Sequence, residues 1–185
     1  MMQSSRTSYF EALVRDHLAA VGAYLGRRLY PLNRDDLDDI VEETMLVIWR
    51  RLDDLPVGSE RPWMIGVARN VLRNAKRSRR RRQSAESSTR ARGSSASAED
   101  HVTANDELRR ALENLSETDR EMILLKAWDG LSDADIAQVM GISAPAVAVR
   151  VTRIREKMML TLEGYLSRNS EPPSDSSSVE QGERS

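Results

Sequence analysis

Residues 83–100, QSAESSTRARGSSASAED, contain no apolar side chain larger than Ala. Such a stretch has nothing to add to a core, and its Ser and Ala content predicts a flexible linker over 83–103. The chain is therefore expected to fold as two small units, 8–82 and 104–166, each burying its own apolar stripes. A second polar segment, 167–185, carries Pro172-Pro173 and four carboxylates, and is expected to form a disordered tail. Period-2 alternation is scarce and apolar 3/4 spacing recurs, so the expected fold is all-α: two small helical domains joined by a flexible linker.

Composition narrows the function. Cys is absent, which excludes disulfides, thiolate metal sites and a Cys nucleophile. His17 and His101 lie far apart, and no G-x-G-x-x-G or G-x-x-x-x-G-K run is present. No metal, cofactor or catalytic residue is expected, and the composition leans towards a binding protein rather than an enzyme. A site-specific recombinase needs a nucleophile in a folded unit. The first unit offers only Ser8, Ser59 and Ser78, near its ends or in a loop. No apolar run approaches the roughly 20 residues that span a bilayer. The polar N-terminal residues lack a signal-peptide stretch, so a cytoplasmic chain without membrane insertion is expected.

The net charge of −1 conceals a segregated pattern. Residues 35–60 carry nine acidic and two basic side chains, and residues 61–92 carry eleven basic and one acidic. Adjacent blocks of opposite sign predict two surfaces, one for a basic partner and one for a polyanion.

The first unit reads as four helices. Over 8–29, Phe10, Leu13, Val14, Leu18, Val21 and Leu25 share a stripe that ends before Pro31. Over 35–52, Leu37, Val41, Met45, Ile48 and Leu52 share one face, with Trp49 at its edge. Asp39, Glu43, Leu46, Val47 and Arg50 lie opposite. That face is either a solvated charged surface or a docking face for a basic, partly apolar helix. Residues 53–62 form a loop with two Pro and one Gly, and a helix starts near Pro62. Its apolar side is Trp63, Met64, Val67, Ala68 and Val71. Arg69, Asn70, Arg73, Lys76 and Arg77 cluster opposite, extended by Arg79 to Arg82. The basic run is a solubilising tail or, because its charge begins inside an amphipathic helix, a surface for phosphates and bases.

The second unit carries the more specific pattern. Ser116-Glu117-Thr118-Asp119 and Ser132-Asp133-Ala134-Asp135 both read as capping-box-like helix starts. A short helix ends at Gly141, a turn of about four residues follows, and a third helix starts at Pro145, which is the helix-turn-helix pattern. On the third helix Val147, Val151, Ile154 and Met158 face inward, while Val149, Thr152, Arg153 and Glu156 face outward with Ala148 at the edge. The bland alternative is a helical hairpin with a glycine C-cap. Trp49 and Trp128 read as core or interface anchors.

Three blocks in order, DDLDDIVEETMLVIW, RPWMIGVARNVLRNAKR and ALENLSETDREMILLKAWDGLSDADIAQVMGISAPAVAVRVTRIREKM, resemble bacterial RNA polymerase sigma factors of the extracytoplasmic-function (ECF) group. The resemblance implies sigma domain two over 8–82 and sigma domain four over 104–166. It implies docking of core polymerase, on its beta-prime and beta subunits, by Asp39, Glu42, Glu43, Leu46 and Val47. It implies minus-ten promoter recognition and melting by the 53–61 loop and by Arg61, Arg69, Asn70, Arg73, Asn74, Lys76 and Arg77. The helix from Pro145 would read the minus-thirty-five element through Ala148, Val149, Arg150, Thr152, Arg153 and Arg155. Ala148, Val149 and Thr152 would touch thymine methyl groups, leaving the arginines for phosphates and a guanine. An anti-sigma factor is an implied partner beside promoter DNA. The competing expectation is a stand-alone helix-turn-helix transcriptional regulator.

Overall fold

A computed structural model of the chain describes residues 2–87 and 104–169. Of the expected tail, 167–185, and the expected linker, 83–103, residues 170–185 and 88–103 lie outside the described residues, while 167–169 are helical and extend the last helix; every regular element within the described residues is helical. The first half holds α1 (Met2–Arg27), α2 (Asp36–Arg50), a 3₁₀ turn (Leu52–Asp54) and α3 (Glu60–Ser87). Three α-helices and one short turn thus stand where four helices were expected. The second half holds α4 (Ala104–Glu113), α5 (Glu117–Ala127), α6 (Asp133–Met140) and α7 (Ala144–Asn169).

Helix α1 begins at Met2, six residues before the expected start at residue 8, and tertiary contacts account for the extension. The Arg6 guanidinium donates to the Asp53 carboxylate and, at 2.8 Å, to the Trp49 carbonyl. It also lies over the Trp49 ring, 5.2 Å from its centroid. Phe10 meets the same indole edge-on at 5.2 Å. Trp49 is therefore an anchor between α1 and α2, as its place at the edge of the apolar face predicts. Leu13, Val21, Tyr24 and Leu25 are buried, whereas Leu18, at the margin of the stripe, is exposed.

On α2 the buried line is Ile40, Thr44 and Ile48, a rotation away from the expected Leu37–Val41–Met45 centre. A threonine reaches the core because its hydroxyl donates to the Ile40 carbonyl at 2.7 Å, so burial leaves no unpaired polar atom. Asp36, Asp38 and Asp39 sit in the first turn, where carboxylates complement the helix dipole.

Helix α3 starts at Glu60, with Pro62 inside the first turn where its missing N–H costs no helical bond. It continues through 83–87, residues expected to open the linker. Arg79, which pairs with Asp36 at 3.5 Å, ties this basic stretch back to α2.

The helix-turn-helix forms as read. Ser116 caps α5 by accepting from the Asp119 backbone N–H. Ser132 and Asp135 form a reciprocal capping box on α6. Gly141 ends α6 in the left-handed region at φ 69°. A Cβ there meets nothing within 4 Å, so a side chain suffers only from the backbone conformation. Gly141→Ala is expected to cost about 1–2 kcal/mol of stability. Urea unfolding checks this, and an unchanged midpoint would show that the turn relaxes to another conformation.

The two halves do not keep separate cores. Helix α3 packs against α1 and α2 on one side and against α6 on the other. Buried residues of both halves, from Leu13 to Ile154, form one apolar cluster. The expectation that each unit buries only its own stripes is corrected by α3. Its buried positions Met64, Ile65, Val67, Ala68, Val71 and Leu72 span an arc too wide for one neighbour.

Candidate nucleic-acid interface

Four of the five residues expected to dock polymerase are exposed on α2: Asp39, Glu42, Glu43 and Leu46. The spacing i, i+3, i+4, i+7 puts them on one stripe. Leu46 is 54% exposed among these carboxylates. Val47 instead lies half-buried against the core.

The loop between the 3₁₀ turn and α3 is braced at both ends. Arg51 pairs with Asp54 at 3.0 Å and lies over the Trp63 ring. Gly58 takes a left-handed φ of 77°, and its N–H donates to the Glu60 carboxylate at 2.9 Å. The backbone N–H groups of Glu60 and Gly58 hold that carboxyl below its ordinary range. At the loop tip Val57 is 96% exposed, the most open large apolar side chain among the described residues. Sequence reasoning did not single it out, although the Pro56-Val57-Gly58 order marks a projecting turn.

The basic residues of α3 divide into two stripes. Asn70, Arg73, Asn74 and Arg77 are exposed to solvent. Arg61, Arg69 and Lys76 lie on the side that faces the C-terminal half. Arg61 donates to the Asp129 carbonyl at 2.5 Å, and Arg69 and Lys76 are half-buried. Burial pulls the Lys76 ammonium below its ordinary value, against the attraction of Glu117 and Glu121.

Between the halves sits a buried charge cluster that no sequence pattern indicated. Arg28 donates through Nε to Glu121 at 2.8 Å and through Nη2 to Asp129 at 2.7 Å. Arg27 also pairs with Asp129. The Tyr24 hydroxyl donates to Glu121 at 2.8 Å, and the Arg28 guanidinium lies 4.1 Å from the Tyr24 ring centroid. Arg28 is 8% exposed and Asp129 4%. Burial first, and the Glu121 charge second, push the Tyr24 hydroxyl above its ordinary value, so it stays a neutral donor. A folded-state pKa raised in this way contributes stability that is complete below about pH 10 and is lost as the pH rises further. Trp128, read as an anchor, is 56% exposed beside this cluster.

At the start of α7, Ala148, Val149, Thr152, Arg153 and Arg155 are exposed, with Val147, Val151 and Ile154 buried beneath them. Arg150 is half-buried and donates to Asp119 at 2.5 Å. Partial burial pushes the Asp119 carboxyl up. The Ser116 hydroxyl and Arg150 outweigh that and hold it below its ordinary range. An open groove of about 720 Å³ runs beside the exposed face at the start of α7, lined by Asp119, Val149, Arg150, Arg153 and Lys157 among others. Among the described residues no group of three or more His, Asp or Glu side chains is placed to hold a metal ion. No single helix among them is long and apolar enough to cross a membrane.

A helix-turn-helix half joined to a helical half bearing one acidic and one basic face defines a DNA-binding protein of transcription. Residues 13–82 match sigma-70 region 2, and residues 105–158 match sigma-70, region 4. The chain is 31% identical over 167 residues to the RNA polymerase sigma factor NccH of Alcaligenes xylosoxydans xylosoxydans, covering 83% of this chain and 87% of that protein. It is 32% identical over 134 residues to the ECF RNA polymerase sigma factor EcfG of Rhodopseudomonas palustris, covering 70% and 73% respectively. The solved structure of CnrH in complex with the cytosolic domain of CnrY superposes with a TM-score of 0.56 at 28% identity, covering 85% of this chain and 90% of that one. The chain belongs to the ECF group of the sigma-70 family of RNA polymerase sigma factors. Proteins of this family are regulatory factors of transcription initiation, not catalytic enzymes.

Proposed function

We propose that this sigma factor divides promoter selection between its halves, with 8–82 as sigma domain two, 83–103 as a tether, 104–166 as sigma domain four and 167–185 as a tail. The α2 stripe of Asp39, Glu42, Glu43 and Leu46, with Val47 at its margin, docks core polymerase through the beta-prime and beta subunits. The 53–59 loop and α3 capture and unstack the minus-ten strand, which favours open over duplex DNA. Val57 at the loop tip adds an apolar contact for an unstacked base. The start of α7 enters the major groove at the minus-thirty-five element. The observation that carries this reading is the exposed Leu46 among carboxylates, on the same half as the exposed Arg73 and Arg77 stripe. A stand-alone regulator has no use for that pair of faces.

The chain works in the cytoplasm, where polymerase is, and carries no catalytic residue. An anti-sigma factor restrains it. The similarity to CnrH, which was solved bound to the cytosolic domain of CnrY, supports that partner.

Co-purification with core polymerase followed by in vitro transcription tests the proposal. Core polymerase is expected to come down with the chain and to start at specific promoters. Promoter binding by the free chain with no affinity for polymerase would favour the stand-alone regulator.

Arg153→Ala is expected to lower activity at promoters that depend on the upstream element. If Arg153 makes a bidentate base contact, the change costs about 1–3 kcal/mol and relaxes specificity at one position. If it touches a phosphate instead, the change weakens all promoters evenly and flattens the salt slope by about one. Footprinting on upstream-element variants separates the two, and no change on any promoter removes Arg153 from the recognition surface.

A further inference from the structure

The turn between α4 and α5 holds the cations of α7 on its groove side. Arg150, Arg153 and Lys157 follow an i, i+3, i+7 spacing and line the open groove. The Arg150 Nε donates to Asp119 Oδ1, and the Lys157 ammonium donates to the Asn114 carbonyl at 2.8 Å. The turn is itself braced. Arg120 donates from Nε to the Leu112 carbonyl at 2.7 Å and from Nη2 to the Glu113 carbonyl at 3.0 Å, which satisfies carbonyls at the end of α4. Asp119 Oδ2 accepts from the Ser116 hydroxyl at 2.7 Å, and the same hydroxyl accepts from the Asp119 N–H at 3.1 Å. Both carboxylate oxygens are thus engaged, so the carboxylate cannot turn without losing a bond. A guanidinium is planar and presents its donors in a fixed fork. With Nε bonded to Asp119 its plane is set, while Nη1 and Nη2 take no partner among the described residues and 42% of the side chain stays open.

We propose that Asp119 is a positioning residue for promoter binding: it fixes the Arg150 guanidinium so that Nη1 and Nη2 are ready for a DNA phosphate, an inference that rests on the reading of α7 as the minus-thirty-five helix. By charge alone a carboxylate beside a polyanion opposes binding. By geometry Asp119 favours it, because an arginine already held in one rotamer loses little further freedom when DNA arrives. The geometric effect is the larger one here. The Asp119 charge is already paired with Arg150, and its side chain is only 24% exposed. An untethered Arg150 would instead sample many rotamers on the helix surface. Tethering also divides the work between the two arginines. Arg153 pairs with no carboxylate among the described residues and can swing to a base edge, whereas Arg150 is held to one place on the backbone of the duplex.

Holoenzyme reconstituted from core polymerase and the full chain provides the test, with binding to promoter fragments that depend on the upstream element read over a range of salt. Asp119→Asn keeps the shape of the side chain and an oxygen for Ser116 but removes the charge. It is expected to weaken promoter binding about three- to tenfold, although it takes a negative charge away from the DNA side. Arg150→Ala is expected to weaken binding and to flatten the salt slope by about one. In the Arg150→Ala background, Asp119→Asn is expected to leave binding unchanged or slightly tighter, since only repulsion is then removed. That reversal separates positioning from damage to the fold, which would weaken binding in both backgrounds. Tighter or unchanged binding by Asp119→Asn alone, or equal weakening in both backgrounds, overturns the inference. If Arg150→Ala changes neither affinity nor salt slope while Arg153→Ala weakens binding, Asp119 has no contact to position and the inference falls, while α7 stands as the minus-thirty-five helix. If neither arginine change affects any promoter, the reading of α7 is itself overturned.

Discussion

Asp129→Ala is expected to lower stability by about 3–5 kcal/mol, the cost of leaving a buried charge without its partner. The Asp129 carboxylate accepts from both Arg27 and Arg28 and is almost fully enclosed. Without it, Arg28 keeps only Glu121 and Tyr24, with 8% of its surface exposed. Water can reach Arg28 only if the C-terminal half, which supplies Glu121 and Asp129, moves away from the end of α1. The loss is therefore capped by the docking free energy of the halves, and opening replaces unfolding as the cheaper response. Hydrogen exchange tells them apart: amides of α3 and α6 at the interface should lose protection before those around Ile48 and Leu25. Tyr24→Phe removes one hydrogen bond to a charged acceptor and should cost less, about 1.5–3 kcal/mol. An Asp129→Ala chain within about 0.5 kcal/mol of the parent, the range of an ordinary surface change, would mean that the cluster contributes nothing net.

Leu46→Asp combined with Glu43→Lys is expected to weaken core polymerase binding by about 30-fold or more while leaving the fold intact. Truncating a desolvated apolar anchor at an interface costs about 2 kcal/mol or more, and each 1.4 kcal/mol is about tenfold in affinity. Both side chains are exposed in the free chain, and neither contributes to the buried core. The double change also puts a positive charge where a basic partner helix expects a negative one, so like-charge repulsion adds to the missing apolar anchor. Binding titrations with core polymerase, beside an unchanged helical signal, check it. Parental affinity would remove the α2 stripe from the docking surface.

The helix-turn-helix was legible because its determinants are local. The Ser132–Asp135 box, the left-handed Gly141 and the inward Val147, Val151 and Ile154 all lie within a few residues of the groups they serve. The exposed α2 stripe was legible for the same reason, since charge and apolar spacing on one helix face need no distant partner. The exact buried face of α2 was less so. Thr44 is polar by composition, and only its bond to the Ile40 carbonyl makes full burial tolerable. Val47 looked outward on a wheel, yet neighbouring helices half-cover it.

The start of α1 and the docking of the halves depended on partners far away in the chain. Arg6 reaches Asp53 and Trp49, and Arg28 reaches Glu121 and Asp129, over separations that periodicity does not encode. In the sequence Arg28 is one basic residue shortly before a proline, and Asp129 one acidic residue before a glycine. By itself the sequence determined the all-helical class, the caps, the helix-turn-helix and the segregation of charge, because these follow from residue type and spacing along a single helix. Only the tertiary structure decided which basic residues of α3 stand open and which are covered. That division depends on where α5 and α6 come to rest, through ion pairs and backbone contacts between residues far apart in the chain.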